Sequence, residues 1–152
     1  KDQGLRIMDL VDPTKKMSKS DDSGKGVIFL GDDPETAAKK IMSATTDDLA
    51  NVAYDPLEQP GISNLLEILA LLRGKTVYEI AAEFAGLERY GDFKRIVADE
   101  LKTFLVSFQA QLAAIDDKAI LAKLVASEAV MNTQANSTLL NVQKAVGLRA
   151  RK

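Results

Sequence analysis

"PGISNLLEILALLRGK", residues 60–75, brings a large aliphatic side chain back every three or four positions: Ile62, Leu65, Leu66, Leu69 and Leu72. That spacing places all five on one face of a helix. The proline suits a first helical position, where its missing N–H costs nothing, and Gly74 can adopt the left-handed conformation that ends a helix. The segment predicts a deeply buried helix, which requires other helices to cover it.

Such helices are legible on both sides. Upstream, "DDPETAAKKIMSATT" offers an aspartate cap, a proline and a first-turn glutamate, and predicts a helix from about residue 34 to 44. Downstream, Thr76 and Glu79 match a capping box, and that helix closes by Gly86. Phe93, Val97, Leu101, Phe104, Phe108, Leu112 and Ile115 then recur through a helix of five or six turns, an aromatic stripe read as core. Asp116 and Asp117 can cap a further helix through Leu124, and a last one is expected from about residue 127 to 146, ending at Gly147. Residues 45–60, with Pro56 and Pro60, read as a connection.

The first 33 residues do not fit this helical pattern. "LRIMDL", residues 5–10, reads as a short strand or extended piece, which Asp12-Pro13 interrupts. A loop follows from Thr14 to Gly31, with Gly24 and Gly26 as hinges and "VIFL", residues 27–30, as its apolar anchor. The fold class expected is all-α: a helical bundle preceded by a short strand and a loop. A lone strand would leave its amides and carbonyls unpaired, so a piece of something larger is expected.

Composition narrows the chemistry. The chain has 152 residues and neither cysteine nor histidine, which excludes disulfides, thiol nucleophiles, imidazole bases and the usual zinc sites. No apolar run approaches a membrane span and the start lacks a signal-peptide pattern, so a cytoplasmic protein is expected. The net charge of −2 is unevenly spread: residues 1–33 carry six Lys/Arg and seven Asp/Glu, residues 34–117 eight and fourteen, and residues 118–152 six and one. A basic end on an acidic body suits either a polyanion partner or a solvated tail.

The loop itself holds "TKKMSKSDD", residues 14–22. Such a loop can be a solvated connection. Lys16 and Lys19, with Ser18 and Ser20 interleaved and glycines near by, also suit a polyphosphate, with ammonium groups as point charges and hydroxyls and amides as oriented donors. Neither a Walker A sequence nor a GxGxxG turn is present, so a different phosphate device is required.

"KMSKS", residues 16–20, is identical to the signature pentapeptide of class I aminoacyl-tRNA synthetases. "RIMDLVDPTKKMSKSD", "KKIMSATTD", "PGISNLLEI", "YGDFK" and "AVGL" follow in the order and approximate spacing of the bacterial-type tryptophanyl-tRNA synthetases, so residues 5–149 resemble that family almost throughout. Tyrosyl enzymes usually carry a variant pentapeptide and lack the "PGISNLL" signature.

The resemblance implies a reaction in two steps. Tryptophan and ATP give tryptophanyl-adenylate and diphosphate, and the tryptophanyl group then passes to tRNA(Trp). It implies that Lys16 and Lys19 meet the phosphates as catalytic residues, and that Ile7, Met17, Ser18 and Ser20 join them in binding ATP, with Ile7 and Met17 beside the adenine. Ile7 is equally readable as a core residue. Magnesium is expected on the polyphosphate, and no protein ligand for a metal can be named.

The family's histidine motif and its tryptophan pocket have no counterpart here. The expectation is therefore a C-terminal portion, inactive alone: residues 1–33 ending the catalytic domain, and residues 34–152 forming the helical domain on the anticodon side. L-tryptophan would be met through the missing N-terminal half, and the parent is expected to be a homodimer. Lys144, Arg149, Arg151 and Lys152 are candidate tRNA phosphate contacts, although residues 125–142 hold no Lys or Arg. A stand-alone helical RNA-binding module derived from a synthetase, and a helical interaction domain with an inert loop, are the alternatives.

Overall fold

The computed structural model describes residues 6–20 and 23–149. Among them there are five helices and no strand. They are α1 (Pro34–Met42), α2 (Pro60–Arg73), α3 (Val77–Glu83), α4 (Tyr90–Ala113) and α5 (Asp117–Ala145). The chain divides after Ala113 into two compact units.

The first unit is built around α2. Ile62, Leu65, Leu66 and Leu69 have no exposure, and Leu72 is half-buried against the same core. Each fully buried aliphatic side chain contributes about 1.5–3 kcal/mol. α1 lies along α4, and α2 packs on both α3 and α4. Arg73 ties three of these helices together, donating from Nε to Glu100 at 2.8 Å and from Nη1 to Glu83 at 3.0 Å.

The helix ends follow their sequence signals. The Asp33 carboxylate accepts from the Thr36 amide at 2.9 Å. Thr76 and Glu79 form the expected capping box, and Gly74 ends α2 with φ of 65°. Gly61 serves packing: a Cβ there would lie 2.1 Å from the Thr45 carbonyl oxygen, so only glycine lets α2 approach the connection.

Two expectations are corrected. The stripe on α4 is core only in part: Phe93, Val97 and Leu101 are buried, together with Leu105, whereas Phe104 and Leu112 are exposed, as is Ile115 beyond the helix end. The core partners are short. At 1.5 Å per residue α1 extends about 14 Å and α2 about 21 Å, against about 36 Å for α4. The second correction concerns the end of the chain, where α5 is one continuous helix of 29 residues rather than two. Asp116 caps it, accepting from the Lys118 amide at 2.9 Å. Its polar middle contains neither Gly nor Pro, and the Thr133 hydroxyl bonds back to the Ala129 carbonyl at 2.9 Å, so the backbone ladder is not displaced.

In place of a strand, the extended start carries a single antiparallel bridge between Met8 and Lys16; Leu5, the first residue of the expected strand, lies outside the described residues. This segment belongs to the core of the first unit, since Leu10 is 2 % exposed and Ile7 and Met17 pack against the same cluster.

Candidate phosphate site at the loop root

The turn that carries the lysines is built by aspartates. Asp9 accepts on Oδ1 from the amides of Val11 and Asp12, at 2.8 and 3.0 Å. Asp12 in turn accepts from the Thr14 hydroxyl at 2.6 Å and amide at 3.2 Å, and pairs with Lys15 at 2.8 Å. The Lys15 hydrogen bond, followed by that of Thr14, lowers the Asp12 carboxyl to about 2, and the same contact raises Lys15.

The reversal runs residues 15–17 back along residues 7–9. The Asp9 amide donates to the Lys15 carbonyl at 2.8 Å and the Met17 amide to the Ile7 carbonyl at 2.9 Å. Side chains alternate along such a segment. Met17 accordingly turns toward the core, and Lys16 is exposed.

The three lysines thus have different surroundings. Lys15 is bound by Asp12. Among the described residues neither Lys16 nor Lys19 has an ion-pair partner. Ser18 accepts from the Ser20 amide at 3.3 Å, which tightens the turn between them.

Two clefts flank this segment. One of about 330 Å³ is lined by Asp9, Asp12, Lys15, Lys16, Ser18 and Ser20, among others. The other, of about 610 Å³, is lined by Arg6, Ile7, Lys16, Met17, Lys19 and Phe29, among others. Lys16 borders both. All six residues expected to bind ATP therefore line one cleft or the other: Ile7, Met17 and Lys19 the larger, Ser18 and Ser20 the smaller, Lys16 both. The clefts offer cations and hydroxyls beside an apolar wall, which suits a ligand that is anionic at one end and flat and apolar at the other.

Gly26, expected as a hinge, and two residues without an expected role, Lys40 and Asn64, fix the far side of the loop. Gly26 is buried, its carbonyl oxygen accepts from the Leu10 amide at 3.0 Å and it faces Asp9, so its place is a tight contact rather than an open hinge. Lys40 on α1 donates to the Val27 carbonyl at 2.8 Å and pairs with Asp32 at 2.7 Å. Asn64 on α2 bonds both backbone groups of Met8. The one signal for Asn64 in the sequence is a polar pair, Ser63-Asn64, inside an apolar run.

Lys144 and Arg149 are exposed, in the last turn of α5 and just beyond it. They belong to the second unit, apart in sequence from the lysine loop. Arg151 and Lys152 lie outside the described residues.

The family profile described as tRNA synthetases class I (W and Y) matches residues 3–106. The chain belongs to this family. Among similar proteins, the tryptophan–tRNA ligase of Buchnera aphidicola subsp. Acyrthosiphon pisum is 42% identical over 149 residues, covering 95% of this chain and 44% of the relative. That of Listeria innocua is 41% identical over 147 residues, covering 96% and 44%. The crystal structure of tryptophanyl-tRNA synthetase from Mycoplasma pneumoniae superposes with a TM-score of 0.80 at 34% identity, covering 95% of this chain and 44% of that one. The chain spans less than half the length of these synthetases.

Proposed function

We propose that this class I synthetase chain is the C-terminal part of a tryptophan–tRNA ligase, and that its lysine loop acts on the phosphates of ATP during adenylate formation. One observation supports this most: Lys16 and Lys19 stand without ion-pair partners among the described residues, around two clefts that share Lys16. As the tryptophan carboxylate attacks the α-phosphorus, the P–O bond to the diphosphate breaks and negative charge accumulates on the leaving group. A cation placed there stabilises the transition state more than the ground state.

In this scheme Lys16 and Lys19 meet the phosphates, Ser18 and Ser20 donate from hydroxyl or amide, and Ile7 and Met17 lie beside the adenine. The names of the relatives support tryptophan over tyrosine. Magnesium would arrive with the nucleotide, as the family resemblance implies. No described helix is long and apolar enough to cross a membrane.

The domain assignment belongs to the same proposal: residues 1–33 close the catalytic domain, and residues 34–152 form the helical domain on the anticodon side. The proposal also includes tRNA(Trp) contacts by Lys144, Arg149, Arg151 and Lys152, which the basic final segment supports, a homodimeric parent and a cytoplasmic site.

The test is tryptophan-dependent exchange of diphosphate into ATP by the full-length protein. Lys19→Ala should slow it about 10²–10³-fold with tryptophan affinity nearly unchanged, the scale of losing one preorganised donor. An equal fall in tryptophan affinity would make Lys19 structural. Exchange by the 152-residue chain alone would contradict the proposal.

A further inference from the structure

We infer that Asn64 is a positioning residue for Lys16, acting through the backbone of Met8. Asn64 lies on the buried face of α2 and is 3 % exposed. Its Oδ1 accepts from the Met8 amide at 2.8 Å, and its Nδ2 donates to the Met8 carbonyl at 2.8 Å.

The geometry of the bridge explains why both bonds matter. Where Met8 faces Lys16, the hydrogen bonds are made by their neighbours: Met17 to Ile7 and Asp9 to Lys15. Met8's own N–H and C=O therefore point to the other side, as in a non-hydrogen-bonded antiparallel pair. In a sheet a third strand would satisfy them. Here the single carboxamide of Asn64 does so, offering one acceptor and one donor in one plane.

The other hydrogen bonds that tie this strand-like piece to the rest of the unit lie at Leu10, nearer the turn. The Leu10 carbonyl accepts from the Thr45 amide at 2.8 Å, and the Leu10 amide bonds Gly26. Among the described residues, Asn64 alone bonds the amide and carbonyl of Met8. Met8 and Lys16 are held across the same narrow pair, so a displacement of Met8 from α2 carries Lys16 with it. Leucine at position 64 would fill the space and leave both Met8 groups unpaired in the interior. Aspartate, when ionised, would accept from the amide and repel the carbonyl.

The role of Asn64 rests on the phosphate role proposed for Lys16, and one set of variants separates the two. Diphosphate exchange is measured on the full-length synthetase as wild type, Asn64→Ala, Lys16→Ala and the double variant. Asn64→Ala should slow exchange about ten- to a hundredfold, with tryptophan affinity unchanged, the scale of a reacting group misplaced by about 1 Å. With Lys16 already alanine, the same substitution should cost less than about threefold, because there is no ammonium left to misplace. Ile80→Val, a core change away from the loop, should multiply with Lys16→Ala in full.

Full multiplication of Asn64→Ala with Lys16→Ala would make Asn64 merely structural and overturn the inference, leaving Lys16 its role. No effect of Lys16→Ala alone would remove the role of Lys16, and that of Asn64 with it. Should Asn64→Ala fail to fold, Asn64→Asp takes its place in the cycle. Its defect should shrink as pH falls and the carboxyl regains a proton to donate, and a defect independent of pH would count against the inference.

Discussion

Gly26 sits so close to Asp9 that a Cβ on it would lie 2.0 Å from a carboxylate oxygen. That carboxylate cannot swing aside freely, because its other oxygen holds the amides of Val11 and Asp12. Gly26→Ala should therefore disturb the turn that aims the lysines, at a cost of about 1–3 kcal/mol. Urea denaturation would read the loss. Unchanged stability would mean that the turn can repack without Asp9.

Lys40 should act as the downstream clamp of the loop. Its side chain and that of Asp32 are each 18% exposed. Lys40→Met would leave the Val27 carbonyl and the Asp32 carboxylate without this donor, which costs about 1–3 kcal/mol. Trypsin should cut faster after Lys25 in the variant, since loss of the clamp lowers the cost of local opening. Equal cutting rates would remove the clamp role.

Tyr90 and Asp47 predict an acid-limb effect. Burial pushes the Asp47 carboxyl up, but hydrogen bonds from the Tyr90 hydroxyl, the Leu49 amide and the Gln59 side chain outweigh it, and the group is held below the usual carboxylate range. A carboxyl lowered on folding contributes stability above its unfolded pKa, near 3.9, and loses it as pH falls through the folded value. Tyr90→Phe removes one of those donors, while Asp47 Oδ2 is already buried without a partner. The variant should lose stability at a higher pH than the wild type. Thermal melts between pH 3 and 7 would show this, and coincident acid limbs would refute it.

Lys15 should be the dispensable member of the lysine trio. It is engaged by Asp12 in an exposed pair, worth little to stability because solvent screens it. Lys15→Ala in the full-length synthetase should change diphosphate exchange by less than about threefold, while Lys19→Ala changes it by about 10²–10³-fold. Equal defects would place Lys15 among the phosphate contacts.

The helical unit was legible in the sequence because its ends carry local signals. Asp33, Thr76 with Glu79, Gly74 and Asp116 each satisfy backbone groups within a few residues, and each cap is present. The extent of burial on α4 was not legible, since periodicity tells which face is apolar and not how long the covering helices are. Phe104 and Phe93 share a period, yet Phe104 is exposed beside a fully buried Leu105, so the covered face shifts around the helix along its length. In α5 the break expected between Leu124 and Ser127 contains only Val125 and Ala126, and neither ends a helix as Gly or Pro would.

At the loop, letters alone marked Lys16 to Ser20, because adjacent charges and a fixed motif are local facts. Asn64 and Lys40 could not be assigned this way. Their partners Met8 and Val27 are 56 and 13 residues away and are backbone atoms, which leave no trace in side-chain pattern. Lys15, Lys16 and Lys19 look alike in the sequence, and only the turn at Asp12 distinguishes the first from the other two.

The unbroken course of α5 splits the basic residues of the final segment into a dumbbell. Lys118 and Lys123 lie toward one tip and Lys144 and Arg149 at the other, with Lys123 and Lys144 separated along the axis by about 32 Å at 1.5 Å per residue. A B-form DNA duplex touching both weights would have to run for about nine base pairs at 3.4 Å each. A shorter duplex of that form laid along the helix can grip only one knob at a time.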